Sequence, residues 1–265
     1  MKNTFLILTL LLLLASCSTY QKALKSQDMG VKYSVADSLY KAGKYKKAIK
    51  LWEQLVPSYR GKPQAERVQY LYADSYYQAG GAYRPLAAYQ FDRFVSSFPE
   101  SEKAEEAQFK GAVSYYAQSP TFNLDQTETK KALDKLQIFI GQYPDSEYTD
   151  EANELINELT TKLEKKSFEI AKQYNTIMKY PVAVSALDDF ILDYPGSSFR
   201  EDAYFYKLDS QYKYAINSFA VLVEERLRDA LETYKTLIDY FPDGRYRERA
   251  DEIKAEIDER LQNYT

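Results

Sequence analysis

One pattern, met five times along the chain, limits the fold more than any other feature of the sequence. An alanine is followed by large apolar residues four and seven positions later and by an aromatic ring at eleven. The copies are Ala48-Trp52-Leu55-Tyr59, Ala87-Phe91-Phe94-Phe98, Ala132-Leu136-Phe139-Tyr143, Ala183-Leu187-Phe190-Tyr194 and Ala230-Tyr234-Leu237-Phe241. These offsets put all four side chains on one face of a helix with 3.6 residues per turn, whereas a strand would need alternation. In the last four copies a proline follows directly, at Pro99, Pro144, Pro195 and Pro242. Proline has no N–H to donate and disfavours helical angles in the residue before it, so each of these helices is predicted to stop there.

After each stop come small or acidic residues: Glu100-Ser101-Glu102, Asp145-Ser146-Glu147, Gly196-Ser197-Ser198 and Asp243-Gly244-Arg245. Serine and aspartate cap helices by accepting from their first free N–H groups, so a new helix is expected after each turn. The first helices of the resulting hairpins also repeat. Tyr33-x-x-Ala36-Asp37-Ser38-x-Tyr40-x-Ala42-Gly43 matches Tyr70-x-x-Ala73-Asp74-Ser75-x-Tyr77-x-Ala79-Gly80, and Phe205, Asp209, Ser210 and Tyr212 form a weaker copy.

In the first unit the turn continues as Gly43-Lys44-Tyr45-Lys46-Lys47-Ala48. This Gly-x-Tyr-x-x-Ala resembles the tetratricopeptide repeat. The alanine-to-alanine spacings of 39, 45, 51 and 47 residues exceed the 34 residues usual for that repeat, so the helices are extended or the loops enlarged. A single hairpin cannot cover its own apolar face and neighbours must stack. The expectation is an all-α, superhelical solenoid of five elongated tetratricopeptide-like hairpins over residues 31–265. The charged segment 245–264 would form a C-terminal capping helix, with Arg247/Asp251 and Glu256/Arg260 spaced for ion pairs.

The first residues read as an address. After Lys2, residues 5–15 are apolar except for Thr9. The run is far short of the roughly 20 residues a membrane-spanning helix needs, but it suits the core of a signal peptide. Leu14-Ala15-Ser16-Cys17 resembles the lipobox of bacterial lipoproteins and contains the one cysteine of the chain. Residues 1–16 are therefore expected to be a signal peptide, with Cys17 acylated and residues 17–30 a polar tether. Two or more acyl chains hold a protein stably to a membrane without a second anchor. An ordinary secretory signal with an incidental cysteine is the alternative. Ser18 after the cysteine resembles outer-membrane sorting.

Composition narrows the function. Histidine is absent, which removes the commonest metal ligand and general base. No nucleophile elbow or phosphate-cradling glycine loop is present, and paired acids such as Asp188-Asp189 read as a solvated helical face. No catalytic, cofactor-binding or metal-ligating residue is assigned, and the chain is read as no enzyme. With a net charge of −4 and both signs interspersed, nucleic acid is not an expected partner. The 26 tyrosines point instead to protein contact, where a rigid ring with a hydroxyl is favoured.

Acylated cysteine, short tether and five long hairpins together resemble the BamD family of outer-membrane protein assembly lipoproteins. The most specific shared features are the lipobox, residues 42–48, and the Tyr-Pro-Asp-Ser and Tyr-Pro-Gly-Ser junctions at 143–146 and 194–197. The resemblance implies a lipid-anchored protein on the periplasmic face of the outer membrane, joined to a BamA-like insertase and receiving unfolded outer-membrane proteins. It assigns substrate segments to the N-terminal hairpins and the insertase's periplasmic domains to the C-terminal ones. In tetratricopeptide repeats the positions of Tyr33, Asp37, Tyr40, Tyr70, Asp74 and Tyr77 commonly line a peptide groove; packing between hairpins is the competing placement. Other readings are a cell-division or peptidoglycan-associated scaffold and a SusD-like glycan-binding lipoprotein, the last weakened by the single tryptophan, Trp52, which the repeat places in the core.

Overall fold

The structure, a computed structural model, describes residues 19–264; the signal segment and Cys17 lie outside that range. The described residues are helical throughout, with no strand. A short helix α1 (19–25) precedes α2 (Met29–Lys41), α3 (Tyr45–Tyr59), α4 (Ala65–Ala79), α5 (Arg84–Ser97), α6 (Ala104–Tyr116) and α7 (Thr127–Gln142). Then follow α8 (Thr149–Thr176), α9 (Tyr180–Asp193), α10 (Arg200–Ile216), α11 (Ala220–Tyr240) and α12 (Arg247–Leu261). The even-numbered helices α2 to α10 are the first arms of five hairpins and the odd-numbered α3 to α11 the second arms, as the repeat requires.

The chain divides into two compact units. The first ends at Pro120 and resumes over Asp125–Asn157; the second takes Thr121–Leu124 and everything from Glu158 onward. Nothing in the sequence marks this division, which falls within the 28-residue α8. In the first unit α2 to α7 pack each against the next. In the second, α9, α10, α11 and α12 do the same, and α12 also touches α10, closing the last hairpin as the expected cap.

The five-fold pattern lies in the core. Its alanine and the residue seven later are buried in every copy, as is the residue four later except Tyr234, while the final aromatic is half-buried. Long spacings have separate causes: a ten-residue connection between α6 and α7, the length of α8, and the 21-residue α11.

A clasp missed by sequence reasoning closes four of the hairpins. After the second arm, Ser101 donates to Glu66 (2.6 Å), Ser146 to Glu105 (2.5 Å) and Ser197 to Glu164 (2.8 Å), each glutamate lying on the first arm of the same hairpin. The same serine oxygens accept from the backbone N–H two residues on, at Lys103, Tyr148 and Phe199. They thus order the turn leading into the next helix, whereas the sequence predicts that they cap that helix; the N-cap positions of α6 and α10 fall instead to Lys103 and Phe199. The residue two after each serine then covers a ring four residues beyond the glutamate: Lys103 over Tyr70, Tyr148 stacked on Phe109 at 4.6 Å, and Phe199 on Phe168 at 5.6 Å. In the last hairpin Gly244 replaces the serine. Glu201 itself accepts from the N–H of Tyr246 at 3.2 Å, and Tyr246 stacks on Phe205 at 4.1 Å. A Cβ at 244 would overlap the Glu201 carboxylate, so glycine there follows from the carboxylate's position.

Two other departures are local. The polar tether expected to reach residue 30 is already structured at residue 19: Ala23 of α1 is fully buried and Tyr20 and Leu24 pack on the first unit's core. Asp28 caps α2 by accepting from Gly30 and Val31. The α2–α3 turn depends on Gly43 at φ +70°, whose N–H bonds to Tyr40 while that of Lys44 bonds to Leu39. The α8–α9 turn repeats these bonds with Met178 at φ 60°, where a side chain costs about 1–2 kcal/mol.

Candidate functional site

In the first unit the repeated tyrosines and aspartates come together along the neighbouring first arms α2, α4 and α6. Helical spacing brings Tyr33, Asp37 and Tyr40 to one side of α2, and Tyr70, Asp74 and Tyr77 to the matching side of α4. Their rings and their polar atoms do different work. Tyr33 packs edge-on against Trp52 at 5.6 Å, Tyr70 against Phe94 at 5.5 Å and Tyr77 against Phe91 at 6.0 Å. Five of the six residues are half-buried and Asp74 is fully buried.

The polar atoms form a ladder from one hairpin to the next. Tyr40 donates its hydroxyl to Asp74 Oδ2 at 2.5 Å, and Lys110 on α6 gives its ammonium to Asp74 Oδ1 at 2.7 Å. Lys110 also meets Glu106 at 2.6 Å and the Tyr70 oxygen at 3.1 Å, and Tyr70 donates to Glu106 at 2.7 Å. The three ammonium hydrogens of Lys110 thus have three acceptors, and the ammonium lies 5.6 Å from the ring centres of both Tyr70 and Tyr77, a favourable cation–π placement. Asp37 is held by Lys41 at 2.6 Å and by Arg67 of α4 at 3.1 Å.

Titration behaviour follows from these contacts. Burial raises the Tyr40 hydroxyl well above its usual range and the bond to Asp74 raises it further; burial and Glu106 do the same for Tyr70. Burial works against the charge of Glu106, but hydrogen bonds from Lys103, Lys110 and Tyr70 outweigh it and bring the carboxyl down to about 2. Burial likewise opposes the Lys110 ammonium, and Asp74 and Glu106 overcome it, so its proton is held more tightly than in water. This face is therefore fixed, charged and aromatic at neutral pH.

Sequence reasoning did not find Lys110, Glu106 or Arg67. The available signal was the repeat itself: the cation that meets each aspartate sits on the next first arm, 36 residues after Asp74 and 30 after Asp37. In the second unit the weaker copy is wired similarly. Asp209 accepts from Asn175 at 2.8 Å and pairs with Lys213 at 2.7 Å, while Tyr212 donates to Glu256 of α12. Trp52 is fully buried and offers no exposed ring for a sugar to stack on. Among the described residues no helix is long and apolar enough to cross a membrane, and no cluster of histidine, cysteine and acidic residues could hold a metal ion.

Stacked hairpins carrying a pre-ordered aromatic and charged face define a helical-repeat protein. The chain belongs to the YfiO family of outer membrane lipoproteins, whose family model matches residues 25–185. It is also similar to the outer membrane protein assembly factor BamD of Caulobacter vibrioides, at 32% identity over 83 residues, or 31% of this chain. The matched stretch spans 27% of that relative's length.

Proposed function

We propose that the protein is a lipid-anchored subunit of the machinery that assembles β-barrels into the outer membrane, facing the periplasm. In this reading it acts by binding, not by catalysis. Cys17 carries the acyl chains, the first unit receives segments of unfolded barrel proteins, and the second unit docks on the periplasmic part of a BamA-like insertase. The family match over residues 25–185 carries the assignment, and the similarity to an assembly factor points to the same process.

The face of α2, α4 and α6 suits the task physically. An extended segment rich in aromatic residues can bury rings against Tyr33, Tyr40 and Tyr77 and direct backbone N–H groups at the carboxylate of Asp37. The six residues Tyr33, Asp37, Tyr40, Tyr70, Asp74 and Tyr77 are proposed as this surface. Because Lys110 and Asp74 already saturate one another, binding falls mainly to the half-buried rings.

The test is affinity for a peptide from the C-terminal strand of a barrel protein, beside a scrambled control. Tyr40→Ala combined with Tyr77→Ala is expected to weaken sequence-selective binding by about five- to 150-fold, since each lost aromatic contact is worth roughly 0.5–1.5 kcal/mol beyond its area. Tyr40→Phe, which keeps the ring and loses only the bond to Asp74, should bind nearly as the parent does. Circular dichroism confirms that each variant remains helical. Unchanged selective affinity in the folded double variant rejects this face as the site.

A further inference from the structure

The even mixing of charges that argues against nucleic acid holds for the chain as a whole but not for residues 19–50. There, eight lysines stand against two aspartates, with no arginine or glutamate, in a chain whose net charge is −4. Lys41 and Lys50 have carboxylate partners, and Lys32 bonds to Gln54. Lys22, Lys25, Lys44, Lys46 and Lys47 are exposed and have no carboxylate partner among the described residues.

Three of these lysines sit where they cost stability. Lys44, Lys46 and Lys47 surround the start of α3, whose first turn contains no acid, although the N-terminal end of a helix carries partial positive charge and favours anions. Among the described helices α4, α6, α7, α8, α10 and α12 have acids in the first turn; α2, α5, α9 and α11 do without, but none of these gathers three lysines around its start. The turn is also shaped, since Gly43 to Lys47 with Gln78 and Ala79 enclose an open hollow of about 580 Å³.

Position supplies the occupant. The Lys47 ammonium lies 5.4 Å from the ring of Tyr20, which tethers the turn to α1. Tyr20 is three residues from Cys17, and three residues span at most about 11 Å. If Cys17 is acylated, the basic turn is held close beside a bilayer. Clustered lysines next to a lipid anchor gain about 1 kcal/mol each from an anionic surface, within a Debye length of 8–10 Å.

We propose that the α2–α3 turn is a second, electrostatic contact with the membrane: Lys44, Lys46 and Lys47 rest on anionic phospholipid headgroups of the leaflet that holds the acyl chains. The contact fixes how the first hairpin stands on the bilayer, which an acyl anchor alone leaves free to swivel. It rests on the lipid-anchor reading only for its location, because the charge and its exposure belong to the folded body.

The experiment therefore uses purified Cys17→Ser protein, which carries no acyl chain, floated with vesicles of phosphatidylglycerol or of phosphatidylcholine. The expected result is binding to phosphatidylglycerol alone, reversed by 0.5 M salt, with about a 100-fold loss in the Lys44→Glu, Lys46→Glu, Lys47→Glu triple variant. The corresponding glutamine variant, gentler on the fold, should lose binding in the same direction. Equal binding to both lipids, binding to neither, or no effect of the variants in helical protein overturns the proposal, as does capture by an acidic polypeptide but not by the anionic vesicles. Mass spectrometry of the membrane-extracted wild-type protein reads acylation of Cys17 separately. An unmodified cysteine would sink the anchor reading while leaving the vesicle comparison to decide the charge contact.

Discussion

Lys110→Met is expected to destabilise the first unit by about 3–5 kcal/mol, the cost of breaking a buried ion pair from one side. The Asp74 side chain is 1% exposed, so without Lys110 its carboxylate keeps, among the described residues, the Tyr40 hydroxyl alone as a charge-stabilising partner. Methionine preserves most of the lysine's volume, which separates the charge effect from a packing defect. Adding Asp74→Asn should restore most of the loss, because replacing both members of a buried pair is often close to neutral. Glu106 adds a pH signature. Its carboxyl titrates at about 2 in the folded protein against an ordinary value near 4.3. Its contribution is thus complete above the ordinary value and lost as pH falls through the folded one. Urea titrations of the three proteins between pH 2 and 7 test this. A single variant as stable as the parent would show that the ladder is not formed.

The second large effect concerns the anchor. Cys17→Ser should move the protein from the membrane fraction to the soluble fraction almost completely while its helical content stays unchanged. No described helix is apolar enough to replace the acyl chains, and two chains are what make lipid anchoring stable. The basic turn cannot substitute, since three lysines at about 1 kcal/mol each hold a protein far more weakly than two acyl chains and release it as salt rises. Sedimentation of the variant with membranes through high salt and carbonate would mean that something other than Cys17 holds it.

Much of the fold was legible because the repeat is written in residues that must be buried. Ala132, Leu136 and Phe139 are all fully buried, as a 3.6-residue period requires of one face of α7. Stops were legible because proline acts locally. What escaped were features that depend on a residue one hairpin away. Glu105 looks like an ordinary acid in the first turn of α6, and its bond to Ser146 spans 41 residues. Lys110 likewise reads as a surface lysine until α4 is placed beside it. The length of α8 also escaped, since its charged sequence has neither a proline nor a glycine to end it. The sequence leaves Tyr33, Tyr40, Tyr70 and Tyr77 open to either groove or core, and the half-buried rings explain why: one side packs on Trp52, Tyr45, Phe94 or Phe91 while the residue remains partly open to solvent. Met178 gave no signal at all, because its turn ordinarily takes glycine.

The central claim is that the protein belongs to a barrel-assembling complex, and isolation of that complex tests it most directly. Affinity-tagged protein purified from detergent-solubilised envelopes, with its partners identified by mass spectrometry, should bring down a barrel-forming insertase in near-stoichiometric amount. Substitutions on the second unit that leave the fold intact should reduce that recovery. Recovery of glycan importers, or of division or peptidoglycan proteins, with no insertase present would contradict the account.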